Sequence, residues 1–470
     1  MRPDRFQRPY SYIKGFARRC LYAYFDRLQI VGYREHVPDE GALFFAANHQ
    51  NTFLDPIIIS AFSAKNRQPS FITRSDVFNK WTNIFFKIVK MVPIYRQRDG
   101  GSDAIRRNEE MFRVYTERLQ HEESMVIFPE GDHGRERRVR PLKKGLPRIA
   151  FQTLEETNFE VPFKVVPVGL YYRDHDKYHT DMLAVYGPPL DVYDYVETYR
   201  GNKNRGIIAL RNDLQAAMEA VNVHIQAEHY DTVEGLRQIM GPDIARHLGQ
   251  THDLYQSFLS EKVLIAQLEA AAAAGDADFA ALEKEVPVYQ AELAQAKLRD
   301  HVVAQAPHGP VDLLAQGVGL LLALPMFLYG LINHLPTYLT LSTLPERLLK
   351  DPIFYASVRY AAGLLVAPLF YLLQALLVGT LAGPWWALGY FLSLIPTGML
   401  AKEYRDRAVK VFARWRFMRG WKNGTHPLRA QRDRIRARVM GIVERDWQAA
   451  ASSAAASEST LSAASADQPG

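Results

Sequence analysis

The stretch ALFFAANHQNTFLDPIIISAF, residues 42–62, contains an apolar run, a polar loop and a helix start in immediate succession. The apolar run 42–47 predicts a buried strand. Asp55 followed by Pro56 and then IIISAF is typical of a helix N-terminus. A strand that leads through a short loop into a helix is the unit from which α/β sheets are built.

Further apolar runs bounded by turn residues recur at intervals along the first half of the chain. They are MVIF at 125–128 and FKVVPVGLYY at 163–172, with helical patterns at 102–120 and 141–156 between them. Strands that alternate with helices predict an α/β domain, which we place at residues 28–200.

The regions on either side of this domain have different compositions. Residues 1–27 are basic and aromatic and predict an amphipathic helix that either lies in a membrane interface or packs onto the domain. Residues 201–310 predict a helical appendage interrupted at Pro287. The Ala/Ser-rich tail, 449–470, is expected to be disordered.

Three apolar stretches, 311–335, 361–382 and 385–401, define a predicted membrane region at 311–402. The alternative is a set of buried helices in a soluble domain. A basic segment, 403–448, follows, and the positive-inside rule places it on the cytoplasmic side. If the region before Val311 is also cytoplasmic, the chain must cross the membrane an even number of times. We therefore expect a hairpin at 361–401 and a re-entrant or interfacial segment around Pro325.

Charge and cysteine content exclude some classes of protein. The 470 residues are enough for two to four domains. Cys20 is the single cysteine, which excludes an internal disulfide and a zinc site with several thiolates. The start shows no secretory signal pattern. From Ala401 to Trp447 there are 14 Lys/Arg against 5 Asp/Glu, and the adjacent apolar span favours an anionic membrane over nucleic acid as their partner.

His49 is the candidate general base. It follows the predicted strand directly, and ligands of open α/β sheets bind at the carboxyl ends of strands. A neutral imidazole there can accept a proton from a substrate hydroxyl, while a carboxylate orients it. Asp55 can be this carboxylate only if His49 lies on the loop and Asp55 at the helix start, because two residues six positions apart on one helix lie on different faces. The structural alternative is that Asp55 merely caps that helix.

A second candidate cluster begins at the tetrapeptide Phe128-Pro129-Glu130-Gly131, after another short strand. Its glycine allows close backbone approach, and backbone N–H groups at such a turn suit phosphate. Arg96, Lys143 and Lys144 supply cations for an anionic group. Each of these features taken singly also fits an ordinary turn or a solvated surface charge.

Four segments together resemble the phospholipid/glycerol acyltransferase family. NHQNTFLD, VPIYR, VIFPEG and VVPVGL occur in the order and approximate spacing of that family's motifs, over about residues 28–190. The resemblance implies an α/β fold with a mixed sheet flanked by helices. It also implies a catalytic dyad and a glycerol-phosphate site. The residues are His49 and Asp55 for catalysis, Arg96, Glu130, Gly131 and Lys143 for substrate binding, and Asn48, Phe128, Pro129 and Pro167 for support and the acyl-donor side.

The implied reaction is direct transfer of an acyl group from acyl-CoA or acyl carrier protein to a glycerol phosphate, with no metal or redox cofactor. The enzyme would be an integral membrane protein whose catalytic domain lies on the cytoplasmic face, with membrane lipids as partners. Two departures from the family pattern stand out. Five residues separate His49 from Asp55 where four are usual, and Asp132-His133-Gly134 replaces the usual Thr-Arg or Thr-Ser.

The longer spacing resembles the branch that acylates glycerol 3-phosphate or dihydroxyacetone phosphate. The alternative acceptor is lysophosphatidate. An alternative of another class is a catalytically silent membrane protein that binds lipid or a partner.

Overall fold

The computed structural model describes residues 8–63, 67–74, 87–94, 113–175, 177, 179–251, 253–305, 309–348, 355–420 and 426–445. The chain divides into two compact units. The first comprises Met1–His224 with Leu341–Leu364, and the second comprises Ile225–Thr340 with Leu365–Gly470. Arg96 and the tail predicted at 449–470 lie outside the described residues.

An eight-stranded sheet forms the centre of the first unit. Its strands are β1 (Leu28–Val31), β2 (Ala42–Ala47), β3 (Ser70–Arg74), β4 (Met91–Ile94), β5 (Ser124–Ile127), β6 (Phe163–Tyr172), β7 (Met182–Tyr186) and β8 (Leu190–Asp191). Their order is β1-β7-β6-β2-β5-β3-β4, with β8 beside β6. The β6–β7 and β6–β8 pairs are antiparallel and the other pairs are parallel. The sheet is therefore mixed, as predicted.

Strand β2 lies inside this sheet and is buried on both faces. Leu43, Phe45 and Ala47 pack into one apolar cluster, whereas Phe44 and Ala46 pack into the cluster on the opposite face. Burial on both sides explains why the strand reads as a continuous apolar run and does not alternate with polar residues.

Helices flank the sheet. They are α1 (Arg8–Tyr24), α2 (Tyr33–His36), α3 (Leu54–Ala61), α4 (Gly145–Glu156), α5 (Val196–Gly201) and α6 (Lys203–Val221), and residues 113–120 are also helical. The end of α6 packs on β6 so closely that a Cβ on Gly169 would lie 1.8 Å from the Val221 carbonyl oxygen. Helix α6 thus belongs to the first unit, which differs from the boundary predicted at residue 200.

Helix α1 presents two different faces. Tyr10, Leu21 and Tyr24 are buried, whereas Tyr12 and Phe16 are exposed. The packing interpretation of the N-terminal helix therefore accounts for one face. The membrane-interface interpretation remains a prediction for the other.

The second unit is mostly helical. Its helices include α7 (Tyr230–His247), α8 (Leu254–Ala273), α9 (Ala277–Gln295), α10 (Asp300–Ala304) and the segment 427–445. The break predicted at Pro287 is wrong, because α9 continues through that residue. Val286 and Tyr289 are buried beside it, and this packing outweighs the helix-breaking tendency of proline. The chain breaks instead at Gly275, where φ is +67°.

Three long helices contain the apolar stretches: α11 (Pro310–Leu348), α12 (Tyr355–Ala382) and α13 (Pro384–Arg419). Among the described residues, two segments are long and apolar enough to cross a membrane, Pro310–Arg347 and Val358–Ala382. The predicted α/β domain, helical region and apolar C-terminal helices are thus confirmed.

Helices α12 and α13 meet at Gly383, where φ is +99°. Of these two helices, α12 contains a candidate membrane span in the described residues, so a hairpin that crosses the membrane at 361–401 stays a prediction. The re-entrant form of the segment around Pro325 is wrong, because α11 runs without interruption through it, whereas an interfacial segment there stays a prediction. Apolar helices tolerate proline where neighbouring groups satisfy the freed carbonyl. The third apolar stretch, 385–401, is the first half of α13, whose second half is basic.

Candidate active site

The loop after β2 is fixed to β6 by Asn48. The Asn48 side-chain amide donates to the Leu170 carbonyl at 3.0 Å, and its Oδ1 accepts from the Leu170 N–H at 2.7 Å. Both polar ends of the buried amide are thereby used. Asn48, which the sequence predicts as a supporting residue, therefore holds the loop that carries His49.

His49 and Asp55 are brought together on this loop. Asp55 Oδ2 lies 2.8 Å from His49 Nδ1 and accepts hydrogen bonds from the backbone N–H groups of Gln50, at 2.8 Å, and Asn51, at 2.7 Å. The Asp55 side chain is fully buried, whereas that of His49 is 13% exposed. Since Nδ1 faces the carboxylate, Nε2 is the nitrogen left to exchange a proton with substrate.

The capping interpretation of Asp55 is wrong. Helix α3 has Phe53 at its N-cap, and Asp55 already lies in the first turn. Its carboxylate accepts N–H groups from the preceding loop and not from the following turn, so it stabilises the position of His49. A carboxylate in the first turn of a helix is also favoured by the helix dipole.

Tyr172 completes the surroundings of Asp55, and the sequence prediction missed it. Its hydroxyl donates to Asp55 Oδ1 at 2.6 Å from the last residue of β6. Burial, followed by the nearby Asp55 carboxylate, raises the pKa of Tyr172 well above its ordinary value. The usable signal was its position, since β2 and β6 are parallel and their carboxyl ends meet at one edge.

Two aromatic rings border the His49 imidazole. Phe128 stacks on it with ring centres 3.8 Å apart and planes 10° from parallel. The ring of His133 lies 4.0 Å away, centre to centre, and the His49 carbonyl accepts the Gly134 N–H at 3.0 Å. His133, one of the departures from the family pattern, thus lies directly beside the candidate base.

The turn after β5 is closed by backbone contacts. The Gly131 N–H donates to the Phe128 carbonyl at 3.0 Å, and Gly131 has a φ of +78°, which favours glycine. The Pro129 carbonyl accepts the Lys143 N–H at 2.8 Å. These bonds bring Lys143 against the turn, within 3.3 Å of where a Gly131 Cβ would lie.

Glu130 is buried and ion-paired. Its Oε2 lies 2.7 Å from Arg140 Nε, and Arg140 also donates to the carbonyls of Asp132 and His133. Burial raises the pKa of Glu130, although Arg140 opposes this shift. The Glu130 carboxylate therefore holds the 131–134 loop through Arg140, a residue that the sequence prediction did not single out.

The remaining predicted residues do not all lie at the candidate site. Lys143 is exposed beside the Gly131 turn. Pro167 is buried in β6, where it pairs with Ala46 and its carbonyl accepts the Gly187 N–H at 2.9 Å. Arg96 has no described position. Across the ranges that the structure describes, no group of three His, Cys, Asp or Glu side chains is placed to hold a metal ion.

An imidazole oriented by a buried carboxylate, at the carboxyl edge of an α/β sheet beside a glycine turn, has the geometry that general-base chemistry requires. Residues 29–171 match the model of the family described as Acyltransferase.

Two relatives of this chain are both named as acyltransferases. The chain is 26% identical to an uncharacterized acyltransferase of Schizosaccharomyces pombe, over 57% of this chain and 38% of the relative. It is 22% identical to glycerol-3-phosphate O-acyltransferase 1 of Saccharomyces cerevisiae, over 56% of this chain and 36% of the relative. The chain therefore spans a little over a third of the length of these relatives.

A solved structure also matches. It is the 1-acyl-sn-glycerophosphate acyltransferase PlsC of Thermotoga maritima, with 20% identity, a TM-score of 0.34, and coverage of 45% of this chain and 78% of that chain.

Proposed function

We propose that the chain is a membrane-associated O-acyltransferase that moves a fatty acyl group from acyl-CoA or acyl carrier protein to glycerol 3-phosphate or dihydroxyacetone phosphate. The observation that carries this proposal is the buried Asp55 carboxylate 2.8 Å from His49 Nδ1, within the acyltransferase domain. The related yeast glycerol-3-phosphate acyltransferase supports the acceptor, and the two apolar spans support membrane association.

In the proposed reaction, His49 Nε2 removes the proton of an acceptor hydroxyl. The oxygen attacks the thioester carbonyl carbon, the C–S bond breaks, and the leaving thiolate takes the proton from the imidazolium. Asp55 stabilises the imidazolium while it exists. The exposed Lys143 and the glycine turn offer a cation and backbone N–H groups for the phosphate.

His49→Ala tests the chemical assignment. Removal of a general base lowers the rate by about 10²–10⁴-fold. Membranes that contain each variant are assayed with labelled palmitoyl-CoA and glycerol 3-phosphate, dihydroxyacetone phosphate or lysophosphatidate side by side. We expect the wild type to acylate one of the first two acceptors and His49→Ala to be inactive at an equal amount of protein.

Three results of this experiment would contradict the proposal. Full activity of His49→Ala would refute the general-base role. Acylation of lysophosphatidate alone would replace the acceptor with the alternative one. No transfer to any acceptor by the wild type, from either palmitoyl-CoA or palmitoyl-acyl carrier protein, would favour a silent lipid-binding protein.

A further inference from the structure

The Asp55 carboxylate is held at both oxygens. Oδ2 accepts from His49 and from two backbone N–H groups, whereas Oδ1 accepts the Tyr172 hydroxyl at 2.6 Å. A carboxylate held at one oxygen only can rotate about its last bond. Because Tyr172 binds the other oxygen, that rotation would break a short hydrogen bond, and Oδ2 stays directed at His49.

Tyr172 is itself fixed in place. It is 1% exposed and pairs with Met182 in the β6–β7 ladder, and its ring packs against that of Phe25 at 6.0 Å. Its backbone carbonyl accepts a hydrogen bond from the buried Arg137. The Tyr172 hydroxyl is therefore held against Asp55 at the end of a strand that has little freedom to move.

A donated hydrogen bond also changes the charge that His49 experiences. It stabilises the carboxylate anion and reduces the share of negative charge available to an imidazolium. His49 must be neutral to act as a base, and a carboxylate with less negative charge stabilises the imidazolium less. The raised pKa of the Tyr172 phenol keeps this hydroxyl protonated and able to donate.

We infer that Tyr172 is a positioning residue, whose hydroxyl orients Asp55 through Oδ1 and reduces the negative charge that this carboxylate directs at His49. This inference rests on the proposed function. Other charged or titratable groups lie around the dyad and Tyr172, and they are the same in every variant of the test below. They are Glu130, His133, Arg137 and His175.

The test compares two tyrosines that differ in one respect. Tyr186 lies on β7, the neighbour of β6, and is as buried as Tyr172, but its hydroxyl has no hydrogen-bond partner in the described part of the chain. Tyr172→Phe and Tyr186→Phe therefore remove the same atom from adjacent strands. The pH dependence of kcat/KM is measured for both, with labelled palmitoyl-CoA and glycerol 3-phosphate.

For Tyr172→Phe we expect kcat about 10- to 100-fold lower, the range for loss of a hydrogen bond to a charged group. We also expect the acidic limb of the profile to move to higher pH. Replacement of Tyr172 by 3-fluorotyrosine makes a stronger donor of the same shape and should move the limb to lower pH. Tyr186→Phe should match the wild type in both rate and profile.

An unchanged acidic limb in both Tyr172 variants would refute the inference, even if the rate falls, because a purely structural role does not change the pH dependence of kcat/KM. If Tyr172→Phe does not fold, by circular dichroism and thermal melting, the 3-fluorotyrosine variant alone decides. Full activity of His49→Ala would instead refute the general-base role in the proposed function. The two failures are therefore distinguishable.

Discussion

The loop between His49 and helix α3 binds the Asp55 carboxylate through its own backbone. Gln50 and Asn51 donate their N–H groups to Asp55 Oδ2, so the residues that separate the dyad also fix its distance. The longer spacing is thus compatible with a direct 2.8 Å contact.

The sequence could specify that His49 must lie on the loop. It could not predict Tyr172, which is 117 positions from Asp55 and reaches it only through the order of strands in the sheet.

Lys143 and Lys144 offer a comparison of neighbouring cations at the residue scale. Lys143 is exposed beside Gly131, whereas Lys144 Nζ binds Asn204 Oδ1 at 3.2 Å. If Lys143 binds the acceptor phosphate, Lys143→Gln should raise KM for glycerol 3-phosphate about 10-fold with little change in kcat, as expected for one charge-assisted hydrogen bond.

Steady-state kinetics with varied glycerol 3-phosphate measure this effect. Lys144→Gln is the matched control, and its KM should stay within about twofold of the wild type. Equal changes in KM for the two variants would show that general surface charge, and not a specific contact, is responsible.

At the scale of single elements, the ends of strands were easier to predict than the ends of helices. The runs at 42–47 and 163–172 match β2 and β6 because each is a continuous apolar segment buried in the sheet. The helix breaks that were predicted at two prolines are wrong. Pro287 and Pro325 both lie inside continuous helices, since neighbouring packing decides whether a proline ends a helix.

The apolar helices α11, α12 and α13 share a polar cluster within the second unit. The Tyr390 hydroxyl donates to Asn333 Oδ1 at 2.5 Å, and Gln374 Nε2 donates to the Asn333 carbonyl at 3.0 Å. Hydrogen bonds between apolar helices stabilise their association modestly. We therefore expect Asn333→Ala and Tyr390→Phe to be coupled by about 0.6–1.7 kcal/mol in a double-mutant cycle.

The cycle is measured as the free energy of unfolding in detergent micelles by denaturant titration. A second cycle, Asn333→Ala with Tyr338→Phe, is the control, because Tyr338 is 57% exposed on the same helix. The control pair should be additive. Additivity of the Asn333–Tyr390 pair as well would show that this hydrogen bond contributes no stability.

At the scale of the whole molecule, two arginines of the basic segment 403–448 are paired within the chain, whereas the prediction that this segment faces an anionic membrane stays a prediction. The arginines of the helical segment 427–445 were expected to contribute to a basic surface that faces an anionic membrane. Arg438 pairs instead with Asp278 at 2.7 Å, and Arg445 with Asp276 at 2.9 Å. The acids lie more than a hundred positions earlier in sequence, so only the fold of the second unit reveals that these charges are already paired.

Arg432 is the most buried of these arginines, and its removal should destabilise the second unit. Its side chain is 3% exposed and pairs with Asp243 at 2.7 Å and Asp300 at 2.8 Å. Arg432→Met keeps a similar length of chain but leaves the buried Asp243 carboxylate and the partly exposed Asp300 carboxylate short of a partner. Breaking a buried ion pair on one side costs about 3–5 kcal/mol. We expect a loss of that size in the free energy of unfolding, together with faster amide hydrogen exchange in α7 and α10.

Arg436→Gln is the control, because Arg436 is exposed on the same helical segment, and its effect should stay within about 0.5 kcal/mol. Equal stability of the two variants would mean that Arg432 does not hold α7 and α10 as its contacts indicate. A selective loss of stability in Arg432→Met would show that the ion pairs of Arg432 hold this segment against α7 and α10.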